Sequence, residues 1–278
     1  MLWKTSLREI EITRPLVMGI LNVTHDSFSD GGQFKDLDAA LVRASQMADE
    51  GVDIIDIGGE STRPGSSRVS IEEEIGRTVP VIEAIVSRFD IPVSIDTTKL
   101  QVAEAALAAG AEIINDISGL RWDVHLAELA AASGAGLVLM HSRGDFETMH
   151  SLEPVDDVLR AVRADLQWSI TTARAAGVAA NHIVLDVGIG FGKTHEQNLE
   201  LITKLDKLVA EFENFPLLVG TSRKSFIGKV LGGVPPPERL GGSLATAVIA
   251  AKNGAKILRV HDVRETVAAL KVLAALDK

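Results

Sequence analysis

From residue 15 onward the chain alternates between two hydrophobic rhythms. Short runs of apolar, often β-branched residues recur, and each is followed by a longer Ala-, Leu- and Glu-rich stretch with helical spacing. The short runs are 15–21 (PLVMGIL), 52–57 (VDIIDI), 91–95 (IPVSI), 112–116 (EIIND), 136–140 (GLVLM), 182–186 (HIVLD), 216–220 (PLLVG) and 255–260 (AKILRV). The stretches between them predict helices over 37–50, 71–88, 99–109, 123–132, 154–176, 195–213, 237–253 and 262–276. Strands of a parallel sheet, covered on both faces, read as near-continuous apolar runs, and these do. Eight such repeats ending in a helix predict an α/β fold: a single (β/α)8 TIM barrel over residues 1–278, with an open doubly wound sheet as the alternative. Residues 2–12 alternate loosely and predict a short N-terminal hairpin that closes the barrel bottom.

Local signals refine the helix starts. Ser70 with Glu73, Thr194 with Gln197 and Asp262 with Glu265 have the capping-box spacing or its Asp-started analogue. The acidic run Glu72, Glu73, Glu74 suits the first turn of a helix, where carboxylates meet the positive end of the dipole, and is assigned no functional role. Loops after the first, second and fifth strands are each about a dozen residues, against the usual two to six, and predict a lid on one face.

Composition narrows the chemistry. With 46% hydrophobic and 24% charged residues the chain is an ordinary globular sequence. Its net charge of −10 argues against a broad nucleic-acid or anionic-membrane surface, so any phosphate chemistry is confined to a local basic pocket. The absence of cysteine excludes disulfides, thiolate nucleophiles and cysteine metal sites. The seven histidines form no HExxH or HxH group, so a metal is expected to arrive with substrate. No basic start precedes an apolar stretch and no run approaches about 18 apolar residues, which makes a cytoplasmic protein the expectation.

In a (β/α)8 barrel, chemistry sits at the C-terminal ends of the strands. The polar residues there are Asn22, Thr62 in the second loop, Asp96, Asn115, Asp186, Lys224, Arg259 and His261. Taken singly, an Asn or Asp after a strand is commonly a turn residue or cap. Their convergence on one rim above apolar strand interiors points instead to a polar pocket. The set divides into a neutral-to-acidic part, Asp96, Asn115 and Asp186, and an anion-binding part, Asn22, Thr62, Arg259 and His261. Carboxylates beside an amide match the N–H donors of an aminopyrimidine edge, while Arg259 and His261 suit a leaving phosphate. Met140 either lies against a flat heterocycle through its sulfur or fills the core.

Familiar nucleotide and nucleophile motifs are missing. The glycine-rich stretch 188–194 (GIGFGKT) fails as a Walker motif because Val187 stands where it needs glycine. No GxGxxG follows the first strand and no GxSxG elbow occurs. The serines at 27, 29, 222 and 225 have no evident histidine base, so direct displacement is expected over a covalent intermediate.

The segments 18–32 (MGILNVTHDSFSDGG), 56–65 (DIGGESTRPG), 94–99 (SIDTTK), 114–117 (INDI), 139–144 (LMHSRG), 188–193 (GIGFGK), 221–228 (TSRKSFIG) and 259–263 (RVHDV) resemble the bacterial dihydropteroate synthases, in every repeat. The resemblance implies a cytoplasmic transferase of folate biosynthesis and a sulfonamide target. It would join 6-hydroxymethyl-7,8-dihydropterin diphosphate to 4-aminobenzoate, using Mg2+; a homodimer is a separate expectation. It implies that Asp96, Asn115, Met140, Asp186 and Lys224 hold the pterin, and that Asn22, Arg259 and His261 hold the diphosphate, with Mg2+ at Asn22. Phe28, Thr62, Pro64 and Ser225 would face the 4-aminobenzoate, and Asn22, Asp96, Lys224, Arg259 and His261 would be the catalytic set. The family pattern has proline where His25 and Val187 stand, and a freer first loop at His25 would alter sulfonamide discrimination. Methyl transfer from a methyltetrahydropterin to a corrinoid protein, or pterin binding without catalysis, are the competing readings. Late Ala-rich helix positions, 245–251, serve either a second subunit or the core.

Overall fold

Eight parallel strands close on themselves in sequence order: β3 (Leu16–Asn22), β4 (Ile54–Gly58), β5 (Val93–Asp96), β6 (Ile113–Asp116), β7 (Gly136–Met140), β8 (Ile183–Asp186), β9 (Leu217–Val219) and β10 (Ile257–Val260), with β10 paired back to β3. The computed structural model describes residues 1–23, 33–63, 65–149 and 151–276. Around the barrel stand α1 (Gln33–Glu50), α2 (Ile71–Val86), α3 (Leu100–Ala108), α4 (His125–Ser133), α5 (Val158–Ala175), α6 (His195–Thr203), α7 (Leu205–Glu211), α8 (Ser225–Val230), α9 (Leu240–Lys252) and α10 (Val263–Leu276). The closed barrel matches the expected fold and excludes the open sheet.

Two details differ from the sequence reading. The helix expected over 195–213 breaks at Lys204, whose ψ of 22° leaves the helical range, so it forms α6 and α7. The loop after β9 contains the extra helix α8, too short for its periodicity to register. The capping box at Thr194 is complete, and Ser70 caps α2 by accepting from Glu73 N–H. Asp262, expected as a cap, gives its carboxylate to the Arg223 guanidinium.

Residues paired across parallel strands share a face, so register shows what points inward. The pairs Arg259↔Met18↔Ile54 and Asp56↔Ser94↔Ile113, with Asp96↔Asn115↔Val138↔Val184 and Met140↔Asp186↔Leu218↔Ile257, trace the barrel interior. Its lower part is apolar. Leu16, Met18, Ile54, Ile113, Val138, Val184, Leu218 and Ile257 form one cluster with Trp3 and Ile12. Trp3 comes from the antiparallel hairpin β1 (Leu2–Lys4) and β2 (Glu9–Glu11), is fully buried, and donates its indole N–H to His182 O at 3.0 Å. The hairpin therefore plugs the barrel bottom with an aromatic ring whose one polar atom is satisfied. The intervening strand positions, such as Val17, Ile55, Ile57, Ile95 and Ile114, point outward into a larger cluster shared with the helices. Only the upper interior is polar.

Candidate active site at the C-terminal rim

The polar interior begins one step above the apolar layer. Asp56 lies two residues beyond Ile54, Asn115 two beyond Ile113, Met140 two beyond Val138, Asp186 two beyond Val184 and Arg259 two beyond Ile257, so the period of two lifts all five side chains into the same upper layer. Asp56 Oδ2 accepts from Arg259 Nε at 2.6 Å and from Asn115 Nδ2 at 3.1 Å, and Arg259 Nη2 reaches Asp96 Oδ2 at 2.6 Å. Asp56 Oδ1 is buried with no partner. A buried acceptor left open in a native pocket commonly awaits a ligand donor or water.

The sequence reading put Arg259 on a separate anion side. The structure adds a contact to this: its guanidinium is also the counter-ion of the acidic floor, because two carboxylates cannot sit unpaired inside a barrel. Burial nonetheless raises the Asp96 carboxyl to about 7, with repulsion from Asp56 adding to the shift and Arg259 opposing it. Burial also raises Asp186, against the stabilising N–H of Gly188, which donates to Asp186 Oδ1 at 2.7 Å, and the charge of Lys224. Gly188 sits at φ 67°, and a β-carbon there would stand 1.8 Å from His141 O, so only glycine brings this N–H to the carboxylate.

Lys224 reaches the floor from the loop after β9. The preceding Arg223 adopts a left-handed φ of 59°, held by Asp262 on its side chain, by Ser243 Oγ accepting from its N–H, and by Arg239 donating to its carbonyl. That kink sends consecutive side chains opposite ways. Lys224 Nζ donates to Ile189 O and lies 4.3 Å above the Phe191 ring. Burial brings its ammonium down to about 8, although Asp186 and Asp96 hold it up. Ser225, next in the chain, is the exposed first residue of α8.

The far side of the rim is cationic, with a difference. His261, beyond β10, has its backbone N–H on Ser222 Oγ and its Nδ1 3.1 Å from the same hydroxyl. Burial, then the charges of Arg259, Arg223 and Arg63, lower its pKa to about 3, so it is neutral without an anion present. Arg63, in the second loop, thereby joins the positive field and was missed because no strand places it. Asn22 ends β3 opposite Asp96, and a β-carbon built on Gly58 between them would lie 3.7 Å from both Asn22 Oδ1 and Asp96 Oδ2. The glycine keeps that gap open. Thr62 is half-buried in loop two, while Phe28, Pro64 and His25 lie outside the described residues. Val187, the other departure from the family pattern, is fully buried in the outer core.

A family model described as pterin binding enzyme matches residues 18–261. The chain belongs to the pterin-binding enzymes. Among its relatives in that family is the dihydropteroate synthase of Synechocystis, 48% identical over 95% of this chain and 90% of the relative. Two solved structures are similar throughout: Yersinia pestis dihydropteroate synthase in a sulfonamide drug complex (46% identity, TM-score 0.92) and the Xanthomonas albilineans dihydropteroate synthase with 4-aminobenzoic acid (42%, 0.92). Each comparison covers 100% of this chain and 99% of the other.

The pterin-binding enzyme also contains three buried polar groups the sequence reading passed over. Asp56 was read as part of an apolar strand. Glu74, dismissed as a first-turn charge, is 1% exposed and pairs with Lys99 at 2.6 Å. Its signal was present, since 74, 78, 81, 82 and 85 form one buried helical face. His141 lies behind Met140 on the outer face, 2.8 Å from Lys193 Nζ and 3.1 Å from Asp165. Burial and the neighbouring Lys193 charge lower the His141 pKa to about 4. Lys193 also donates to Gly188 O and Phe191 O, fixing the loop that presents Gly188 N–H.

Proposed function

We propose that this chain is a dihydropteroate synthase, joining a dihydropterin diphosphate to 4-aminobenzoate with release of diphosphate. The observation that carries the reading is the acidic, amide-bearing barrel layer of Asp56, Asp96, Asn115 and Asp186 set beside a cluster of cations. The floor offers acceptors to the N–H donors of an aminopyrimidine, with Met140 and Lys224 flanking the ring. Arg63, Arg259 and His261 face the diphosphate, whose negative charge would raise the His261 pKa and allow it to donate. Thr62, Ser225, Phe28 and Pro64 are assigned to the arylamine side.

Mg2+ suits this donor set. No group of three His, Asp or Glu side chains stands together among the described residues, and Mg2+ characteristically uses one or two protein oxygens together with substrate phosphates. Asn22 Oδ1 would be such an oxygen. When bound, the ion neutralises charge that develops on the diphosphate. The bond between the pterin exocyclic methylene and the diphosphate oxygen breaks, its electron pair leaving on oxygen. The arylamine nitrogen lone pair then forms the C–N bond and the nitrogen loses a proton. Arg259 and Arg63 stabilise the leaving charge, while the ionised floor tolerates positive character on the pterin; one such preorganised contact is typically worth about 3 to 4 kcal/mol.

Incubation with pterin diphosphate, 4-aminobenzoate and Mg2+ tests the reading: diphosphate release that requires the arylamine supports it, and arylamine-independent release or none refutes it. Sulfonamide inhibition is assigned to the same site, with His25 modulating it; equal inhibition of wild type and His25→Pro would remove that role. The proposed homodimer uses α9 and α10, which pack together and leave Ile249, Val272 and Leu276 exposed, while Ala247 and Ala250 serve the core. Light scattering that gave a monomer at micromolar concentration would refute it. Among the described residues no helix is long and apolar enough to cross a membrane.

A further inference from the structure

Loop two, residues 59–70, leaves β4 at Gly58 and enters α2 at its Ser70 cap. Its two ends are tied together. Glu60 Oε1 accepts the Val69 N–H at 2.7 Å, and Lys99 Nζ donates to Val69 O at 2.6 Å, so the donor and the acceptor of one backbone residue are gripped by two different side chains. Lys99 also pairs with Glu60 at 2.7 Å and with Glu74 at 2.6 Å. The three side chains are 11%, 9% and 1% exposed, which takes this triad out of the class of surface ion pairs. Two carboxylates share this one ammonium, and burial raises the Glu74 carboxyl above its ordinary range although Lys99 opposes the shift.

The position of Lys99 gives the triad a direction. It lies three residues beyond Asp96, after the β5 strand, so the clamp fixes loop two to the strand that delivers a carboxylate to the pterin floor. Above the clamp the loop is braced by Ser66 Oγ on the carbonyls of Ser61 and Arg63, and its outer part docks where Arg68 stacks 5.3 Å over Trp122 and 5.0 Å over Phe146. Thr62 and Arg63 lie between these anchors.

We propose that Lys99 is a positioning residue for the second substrate: by clamping Val69 with Glu60 at the base of loop two, it sets the arylamine site relative to the pterin floor. The proposal rests on the dihydropteroate synthase reading. Small displacements of a substrate-orienting group lose rate far out of proportion to stability, because reaction requires near-attack geometry. The clamp makes no hydrogen bond to the floor and meets it only through the distant charge of Glu74 on Asp96, so its effect falls first on the substrate that loop two carries.

The test uses Lys99→Met and the double variant Lys99→Met/Glu74→Gln, which removes the buried carboxylate that the first change leaves without a cation. Steady-state kinetics read kcat and both KM values, calorimetry reads pterin diphosphate binding without arylamine, and hydrogen exchange reads the 61–69 backbone. The KM for 4-aminobenzoate is expected to rise on the order of tenfold in both variants. Pterin diphosphate meets loop two only through Arg63, so its binding should weaken severalfold less than the arylamine KM rises, and Lys99→Arg, which retains a cation donor, should recover part of the loss. Exchange at Val69 N–H should quicken in Lys99→Met. An unchanged arylamine KM in the double variant, an equal loss for both substrates, or unaltered exchange at Val69 would overturn the proposal. Failure of the wild-type protein to consume the arylamine would strike the functional reading instead, since exchange and pterin binding are measured without it.

Discussion

Replacing Asp56 by Asn should move the pH dependence of pterin binding without removing the pocket. In the ligand-free protein Asp96 is held near pH 7, and Asp56 is one of the charges holding it there. Both carboxylates lie 2.6 Å from the same guanidinium, which places them within about 7 Å of each other; at an effective dielectric of about 20 their repulsion is about 2 kcal/mol. That corresponds to between one and two pKa units. Removing the Asp56 charge also leaves Arg259 to Asp96 alone, which acts in the same direction. Pterin donors require the ionised carboxylate, so wild-type affinity should be level above pH 8 and fall about tenfold per pH unit below 7. In Asp56→Asn the break should lie one to two units lower, even if absolute affinity drops through the weakened Arg259 contact. Calorimetric titration of pterin diphosphate between pH 5 and 8.5 reads both midpoints, and coincident midpoints would refute the electrostatic account of the floor. Stability runs the other way. The raised Asp96 favours the fold fully below its ordinary carboxylate pKa, and that contribution is lost as pH rises through about 7, so urea midpoints of the ligand-free protein should lose less over this window in Asp56→Asn.

Other expectations follow from single contacts. Trp3→Ala, which empties the plugged barrel bottom, should cost about 3 to 5 kcal/mol in urea unfolding yet leave kcat/KM within about twofold, because the ring lies at the opposite end from the chemistry. Asp186→Asn should abolish pterin diphosphate binding or turnover; near-normal steady-state kinetics would refute the assignment. Gly188→Ala places a β-carbon on the His141 carbonyl at a positive φ, so the loop that carries the donor to Asp186 must shift. A large rise in the pterin diphosphate Kd with the barrel still folded by circular dichroism is expected there.

The barrel was legible because its strands are short, buried on both faces and regularly spaced, and the rim residues Asp96, Asn115, Asp186 and Arg259 were legible because the fold puts chemistry at strand ends. Asp56 was hidden inside a strand read as apolar. Its parity with Ile54 and Gly58 would have placed it inward, had the strand been read face by face. Arg63 and Lys193 left no such trace, since their positions depend on loop conformations that no periodicity encodes. The pairing of Arg259 was hidden for a related reason: sequence shows a cation at a strand end, but only the closed barrel shows that two carboxylates from β4 and β5 meet it there.

A barrel of this type is ordinarily filled to the top by side chains from alternate strands. Here the filling stops at the Ile54 and Ile113 level, and above it the interior is an ion-paired floor with an open acceptor on Asp56. The flat ring that binds there would stand in for the missing layer of packing. Substrate would thus double as a part of the core, and the upper barrel should be the portion whose rigidity depends most on whether the first substrate is in place.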